Sequence, residues 1–120
     1  MKSENVILEL SYDFSLRIIG LYKSLVAQKE YVISKQLLRC ATSIGANVEE
    51  ATASLTRKEF IAKMAIASKE ARETRYWLRL LDRSGLVDLD VTNYLDAIEQ
   101  IIKILTKIVK TSQENQMNRS

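Results

Sequence analysis

Arg72, Arg75, Arg79 and Arg83 recur at spacings of 3, 4 and 4 in a segment without glycine or proline. On a helix their directions fall within roughly an 80° sector, with Lys69 and Lys58 near its edge. A guanidinium fork matches phosphate oxygens in bidentate fashion, so four on one face suit a nucleic-acid backbone. The competing reading is a solvated face stitched by pairs within the helix. Glu70, Glu73 and Asp82 are close enough for that, and Asp82 lies three residues from Arg79. If several copies surround an axis, the stripe is repeated and a modest patch becomes a strong field.

A second polar set is Ser43, Asn47 and Glu50, which share one side of a helix at spacings of 4 and 3. A buried hydrogen-bond network with Arg72 or Glu73 is the favoured role, because buried polar side chains must find partners and often set helix register. Contact with a ligand or partner is the other. Catalysis finds little to work with. Glu49 and Glu50 are adjacent, so they point roughly 100° apart instead of converging on one substrate atom. The chain has no histidine, which removes the commonest general base and the Glu-x-x-His pairs of carboxylate-bridged metal sites. Cys40, the single cysteine, sits among Leu37, Leu38, Ala41 and Ile44 and reads as a buried structural thiol. It cannot form a disulfide within the chain or a zinc site of the usual nitrogen and sulfur ligands. No glycine-rich phosphate loop occurs. Neither a cofactor, a metal nor a small-molecule substrate is expected.

These side chains need elements to carry them. The 120 residues are 47% apolar, enough for one domain with a real core. Proline is absent and glycine occurs only at positions 20, 45 and 85, which favours long helices over a punctuated sheet. The net charge is +3, mildly basic, so distribution matters more than the sum. The opening MKSENVILEL meets acidic residues too early for a signal peptide. No run nears the ~18 apolar residues of a membrane span, and a soluble cytoplasmic protein is expected.

Periodicity predicts helices over about 4–28, 32–53, 56–84 and 90–111, with a polar tail at 112–120 that frays. The first carries Ile7, Leu10, Phe14, Ile18, Leu21 and Leu25 on one stripe, with Ser3 as N-cap. The second carries Ile33, Leu37, Ala41, Ile44, Val48, Ala51 and Leu55, with Ala41 and Gly45 small enough for close approach of a neighbour. The third opens on a capping box, Thr56 to Glu59, with Leu55 and Phe60 at the staple positions, and stops at Gly85. The fourth follows Asp90 or Asp88 as N-cap and carries Val91, Leu95, Ile98, Ile102, Leu105 and Val109. Short connections force antiparallel neighbours, hence an all-α, up-down-up-down four-helix bundle. Extra apolar rows, Tyr94, Ile101, Ile104 and Ile108 on the fourth helix and Ile66, Trp77 and Leu80 on the third, exceed what a lone bundle needs and predict packing between chains, with Trp77 or Ile101 near the interface.

The run Ser43-Ile44-Gly45-Ala46-Asn47-Val48-Glu49-Glu50-Ala51, followed by Lys58-Glu59-Phe60-Ile61 and Lys69-Glu70-Ala71-Arg72-Glu73-Thr74-Arg75-Tyr76-Trp77-Leu78, resembles the bacterial four-helix-bundle proteins encoded in intervening sequences of 23S rRNA genes. The resemblance covers nearly the whole chain. Gly45 and Ala51 stand where many members have proline and glycine, as in a subgroup. The resemblance implies a homopentameric ring, and kinship with accessory proteins of diversity-generating retroelements, which associate with nucleic acid and a reverse transcriptase. The expected function is therefore a non-enzymatic oligomer that binds RNA or DNA through its basic face. The alternative is a protein-interaction scaffold whose charge only keeps it soluble. Most of the Tyr and Trp positions are assigned to packing, so no base-stacking surface is expected.

Overall fold

Helices run Lys2–Ala27 (α1), Ile33–Thr52 (α2), Arg57–Ser84 (α3) and Thr92–Asn118 (α4) in the computed structural model, which describes residues 2–118. Among the described residues there is no strand. Side-chain pairs fix the helix directions. Arg39 of α2 pairs with Glu73 and Glu70 of α3, whereas Glu50, further along α2, meets Lys63, earlier on α3. Arg72 and Arg75 of α3 reach Thr106 and Glu99 of α4, again in opposite order. Arg17 of α1 lies over Tyr94, while Val6 shares a groove with Ile104 and Ile108. Helix α1 packs on α2 and α4, and α3 packs on the same two; among the described residues no Cα atoms of the diagonal pairs come within 8 Å. That is an up-down-up-down bundle.

The connections end helices by recognisable chemistry. At the end of α1 the Glu30 amide donates to the Leu25 carbonyl and the Lys29 amide to Val26, the paired bonds of a Schellman motif. The left-handed residue this motif needs is Lys29, at φ 64°, where glycine is usual. Glu30 then caps α2, its carboxylate accepting the amides of Val32 and Ile33 at 3.0 Å and of Ser34 at 2.6 Å. The Thr56 hydroxyl accepts the Glu59 amide at 3.1 Å, one half of the capping box expected for α3; the return bond from the Glu59 carboxylate to the Thr56 amide does not form, and Gly85 closes α3 at φ 69°. Asp90 accepts the Thr92 amide at 3.0 Å at the start of α4.

Leu37, Ile44, Phe60, Leu78, Ile98 and Leu105 are all buried, as their stripes require. A Cβ on Gly45 would stand 3.4 Å from the Ser11 carbonyl oxygen, so this glycine does let α1 approach α2 closely. Four expectations fail. Ser3 lies inside α1, which begins at Lys2, and so is not its cap. Leu55 is 96% exposed and forms no staple with Phe60. Helix α4 continues through residues 112–118, because nothing there breaks it and Ser112 falls on the buried side; Arg119 and Ser120 lie outside the described residues. Ile101 and Ile108 are buried within the chain, since α4 touches both α1 and α3 and so needs two apolar stripes.

Candidate nucleic-acid interface

Helix α3 presents two opposed faces. Phe60, Met64, Ala67, Ala71, Thr74, Leu78 and Leu81 are buried, and Lys69, Arg72, Arg79 and Arg83 are exposed on the other side. Helix α3 is unbroken from Arg57 to Ser84, about 42 Å at 1.5 Å per residue, and carries this ridge along its C-terminal half. The four arginines are not equivalent. Arg75 sits at the edge facing α4, where Nη1 is 2.9 Å from Glu99 Oε1, and its charge is compensated. Arg72 Nη2 donates to Thr106 Oγ1 at 3.1 Å, a neutral acceptor that orients the guanidinium without cancelling it. Arg79, Arg83 and Lys69 have no hydrogen bond or ion pair from their side chains to other described residues.

The stitching by neighbouring carboxylates does not form. Glu70 and Glu73 turn to the opposite flank of α3, where both pair with Arg39 of α2 and Glu73 also accepts the Trp77 indole N–H at 3.1 Å. Apart from Arg75, the stripe therefore keeps its positive charge. A second row reinforces it: Lys103, Lys107 and Lys110 are exposed on α4 at spacings of 4 and 3. Arg72 and Lys110 line one cleft between α3 and α4, together with Ser68 and Thr106. The lysine row was readable from its spacing beside the Ile98–Ile102–Leu105 stripe. Tyr76 corrects the assignment of aromatics to packing, being 54% exposed within the α3 ridge.

Ser43, Asn47 and Glu50 are near each other but do not join Arg72 or Glu73. Asn47 Nδ2 donates to the Ser43 carbonyl at 2.9 Å and to its hydroxyl at 3.1 Å, a link within α2. Glu50 instead holds Lys63 at 2.7 Å, which raises the Lys63 pKa through that hydrogen bond and the opposite charge. Cys40 is fully buried. Desolvation is the largest influence on its thiol, whose pKa is pushed up to about 11 even though Thr74 Oγ1 lies 3.2 Å from the sulfur. The thiolate a nucleophile needs is thus scarce at neutral pH. Among the described residues no three His, Cys, Asp or Glu side chains converge as a metal site, and no helix is long and apolar enough to cross a membrane.

Residues 3–107 match the family described as 23S rRNA-intervening sequence protein. Among solved structures, the chain is similar to a protein of unknown function from the S23 ribosomal protein family of Bacteroides thetaiotaomicron VPI-5482, determined at 1.70 Å. The two are 45% identical, with 90% of this chain and 98% of that one covered and a TM-score of 0.85. No curated protein matches the sequence.

Proposed function

We propose, since this chain belongs to the 23S rRNA-intervening sequence protein family, that it is a non-enzymatic cytoplasmic protein that binds nucleic acid along the α3–α4 ridge. One observation carries the reading: the carboxylates nearest the arginine stripe are drawn away to Arg39, leaving Arg72, Arg79, Arg83 and Lys69 without carboxylate partners, and Arg72 shares a cleft with Lys110 of the lysine row on α4. Side chains spaced along a helix follow phosphates and do not frame a base-reading pocket, so affinity is set by backbone charge and not by sequence. Fluorescence anisotropy of labelled RNA and DNA across a salt series tests this. The logarithm of affinity should fall linearly with the logarithm of salt, and Lys103→Glu with Lys107→Glu should reduce the slope. Salt-independent binding, or none, overturns the reading and leaves the protein-interaction scaffold.

Assembly into a homo-oligomer, a pentamer by the family resemblance, is the second part of the proposal. Tyr12, Leu16 and Ile19 form an exposed apolar stripe along α1, at 61%, 53% and 39% exposure, and support packing against another copy. Ile66, at 42%, is the exposed member of the extra row on α3. Light scattering should give a multiple of the 13.7 kDa chain mass, and Leu16→Glu should reduce it. A monomer at micromolar concentration rejects this part alone.

A further inference from the structure

We infer that the ridge takes single-stranded nucleic acid, with Tyr76 as the platform on which an unpaired base stacks. The inference rests on the phosphate-binding reading above and goes beyond it, because charge alone does not distinguish one strand from two. Lys69, Arg72, Tyr76, Arg79 and Arg83 follow one another at spacings of 3, 4, 3 and 4. They therefore share one sector of α3, with the aromatic ring in the middle and two cations on each side. The row from Lys69 to Arg83 spans about 21 Å at 1.5 Å per residue.

Tyr76 has no core role that explains it. The residue is 54% exposed, while the adjoining core positions Thr74 and Leu78 are fully buried. Its ring meets Trp77 edge-on, with centroids 5.3 Å apart and planes at 70°. Trp77 is itself held, because its indole N–H donates to Glu73, which pairs with Arg39. The tyrosine ring is thus supported by an anchored neighbour and still open to solvent, so a base landing on it costs little added ordering. Every base has a π-face, which makes such a platform tolerant of sequence, and flanking cations hold the phosphates on either side. In a duplex the faces of the bases are stacked on each other and a lone ring on a convex helix cannot reach them. A strand with exposed bases fits the row, and paired nucleic acid gains only the charge.

Anisotropy with three probes of about ten nucleotides separates the contributions: a labelled single strand (oligo-dU and oligo-U in parallel), an abasic strand of equal length, and a duplex. The expected result is that the base-bearing strand binds roughly ten-fold tighter than the abasic one, and that Tyr76→Ala removes this advantage while abasic affinity stays unchanged. Tyr76→Phe should retain it. Equal values for oligo-dU and oligo-U show a sugar-indifferent platform; a gap between them that persists in Tyr76→Ala places the discrimination elsewhere on the ridge and overturns Tyr76 as its source. If the parent binds all three probes alike, stacking is refuted and the charged ridge stands. If it binds none at low salt, both readings fall together. Circular dichroism of the exposed-site variants checks that the bundle is intact.

Discussion

The side-chain amide of Gln28 pairs with the backbone of Asp88 in both directions. Its Nε2 donates to the Asp88 carbonyl at 3.1 Å, and its Oε1 accepts the Asp88 amide at 2.9 Å. Gln28 follows α1 and Asp88 lies between α3 and α4, so two connections far apart in sequence are clasped at one end of the bundle. Asp88 lies before α4, whose lysines form half of the proposed ridge.

Removing the clasp by Gln28→Ala should cost about 1 kcal/mol, reduced from the sum of two bonds because both groups can turn to water. Urea denaturation gives the value. Gln28→Glu should cost at least as much, since a carboxylate cannot donate to the Asp88 carbonyl. An unchanged midpoint in both variants would show that water replaces the clasp at no cost.

Lys29 holds φ 64° with a side chain that disfavours it. The left-handed conformation costs a non-glycine residue roughly 1–2 kcal/mol, while glycine gives back about 0.5–1 kcal/mol through its freer unfolded chain. Lys29→Gly should therefore stabilise the protein by up to about 1 kcal/mol. A lower melting temperature in this variant would mean that the Lys29 side chain makes a compensating contribution.

Glu30 makes the bundle sensitive to acid. Burial alone would raise its pKa, but the amides of Ser34, Ile33 and Val32 and the Ser34 hydroxyl outweigh it and hold the carboxyl below its ordinary value of 4.5. A lowered folded pKa means that the ionised form is the one folding favours. Its contribution is complete above the unfolded value and is lost as pH falls through the folded one. Glu30→Gln should cost about 1–3 kcal/mol at neutral pH, and the difference from the parent should shrink below pH ~4. Denaturation midpoints at pH 7 and pH 3 measure both. A constant difference across that range would show that the carboxylate charge is not what caps α2.

Helices and core were legible because burial imposes a period: Leu37, Ile44, Leu78, Ile98 and Leu105 repeat at helical spacing and all lie inside. The Thr56 cap and the glycine stop at Gly85 were legible for the same local reason, although the return bond of the capping box, from Glu59 to the Thr56 amide, does not form. Lys29 and Glu30 were not, because each does the work of a residue type usually chosen for it, glycine and a short polar cap respectively. The fate of Ile101 depended on which helix α4 faces besides α3, a tertiary fact that no spacing contains. The arginine stripe could be drawn from its spacing. Which arginines keep their charge could not, since Arg75 meets Glu99 from another helix and Arg39 withdraws Glu70 and Glu73 from the stripe.

That inequality among the arginines gives a sharper test than removing them together. Arg75 and Glu99 form a pair of no net charge, so Arg75→Gln with Glu99→Gln leaves the charge of the ridge unchanged. Nucleic-acid affinity and its salt slope should both match the parent. Stability should fall by no more than about 1 kcal/mol, because a partly exposed ion pair contributes little. Arg79→Gln with Arg83→Gln also changes two residues but removes two uncompensated cations from the same helix. Binding should weaken uniformly across sequences, and the slope of log affinity against log salt should shrink by roughly 0.7–0.9 for each phosphate no longer neutralised. Melting temperature should stay near that of the parent, since exposed substitutions usually change stability by less than about 0.5 kcal/mol. Salt-series anisotropy on the two double variants, with parallel thermal melts, decides the matter. If the Arg75–Glu99 variant loses as much affinity as the Arg79–Arg83 variant, the ridge does not bind through its free cations.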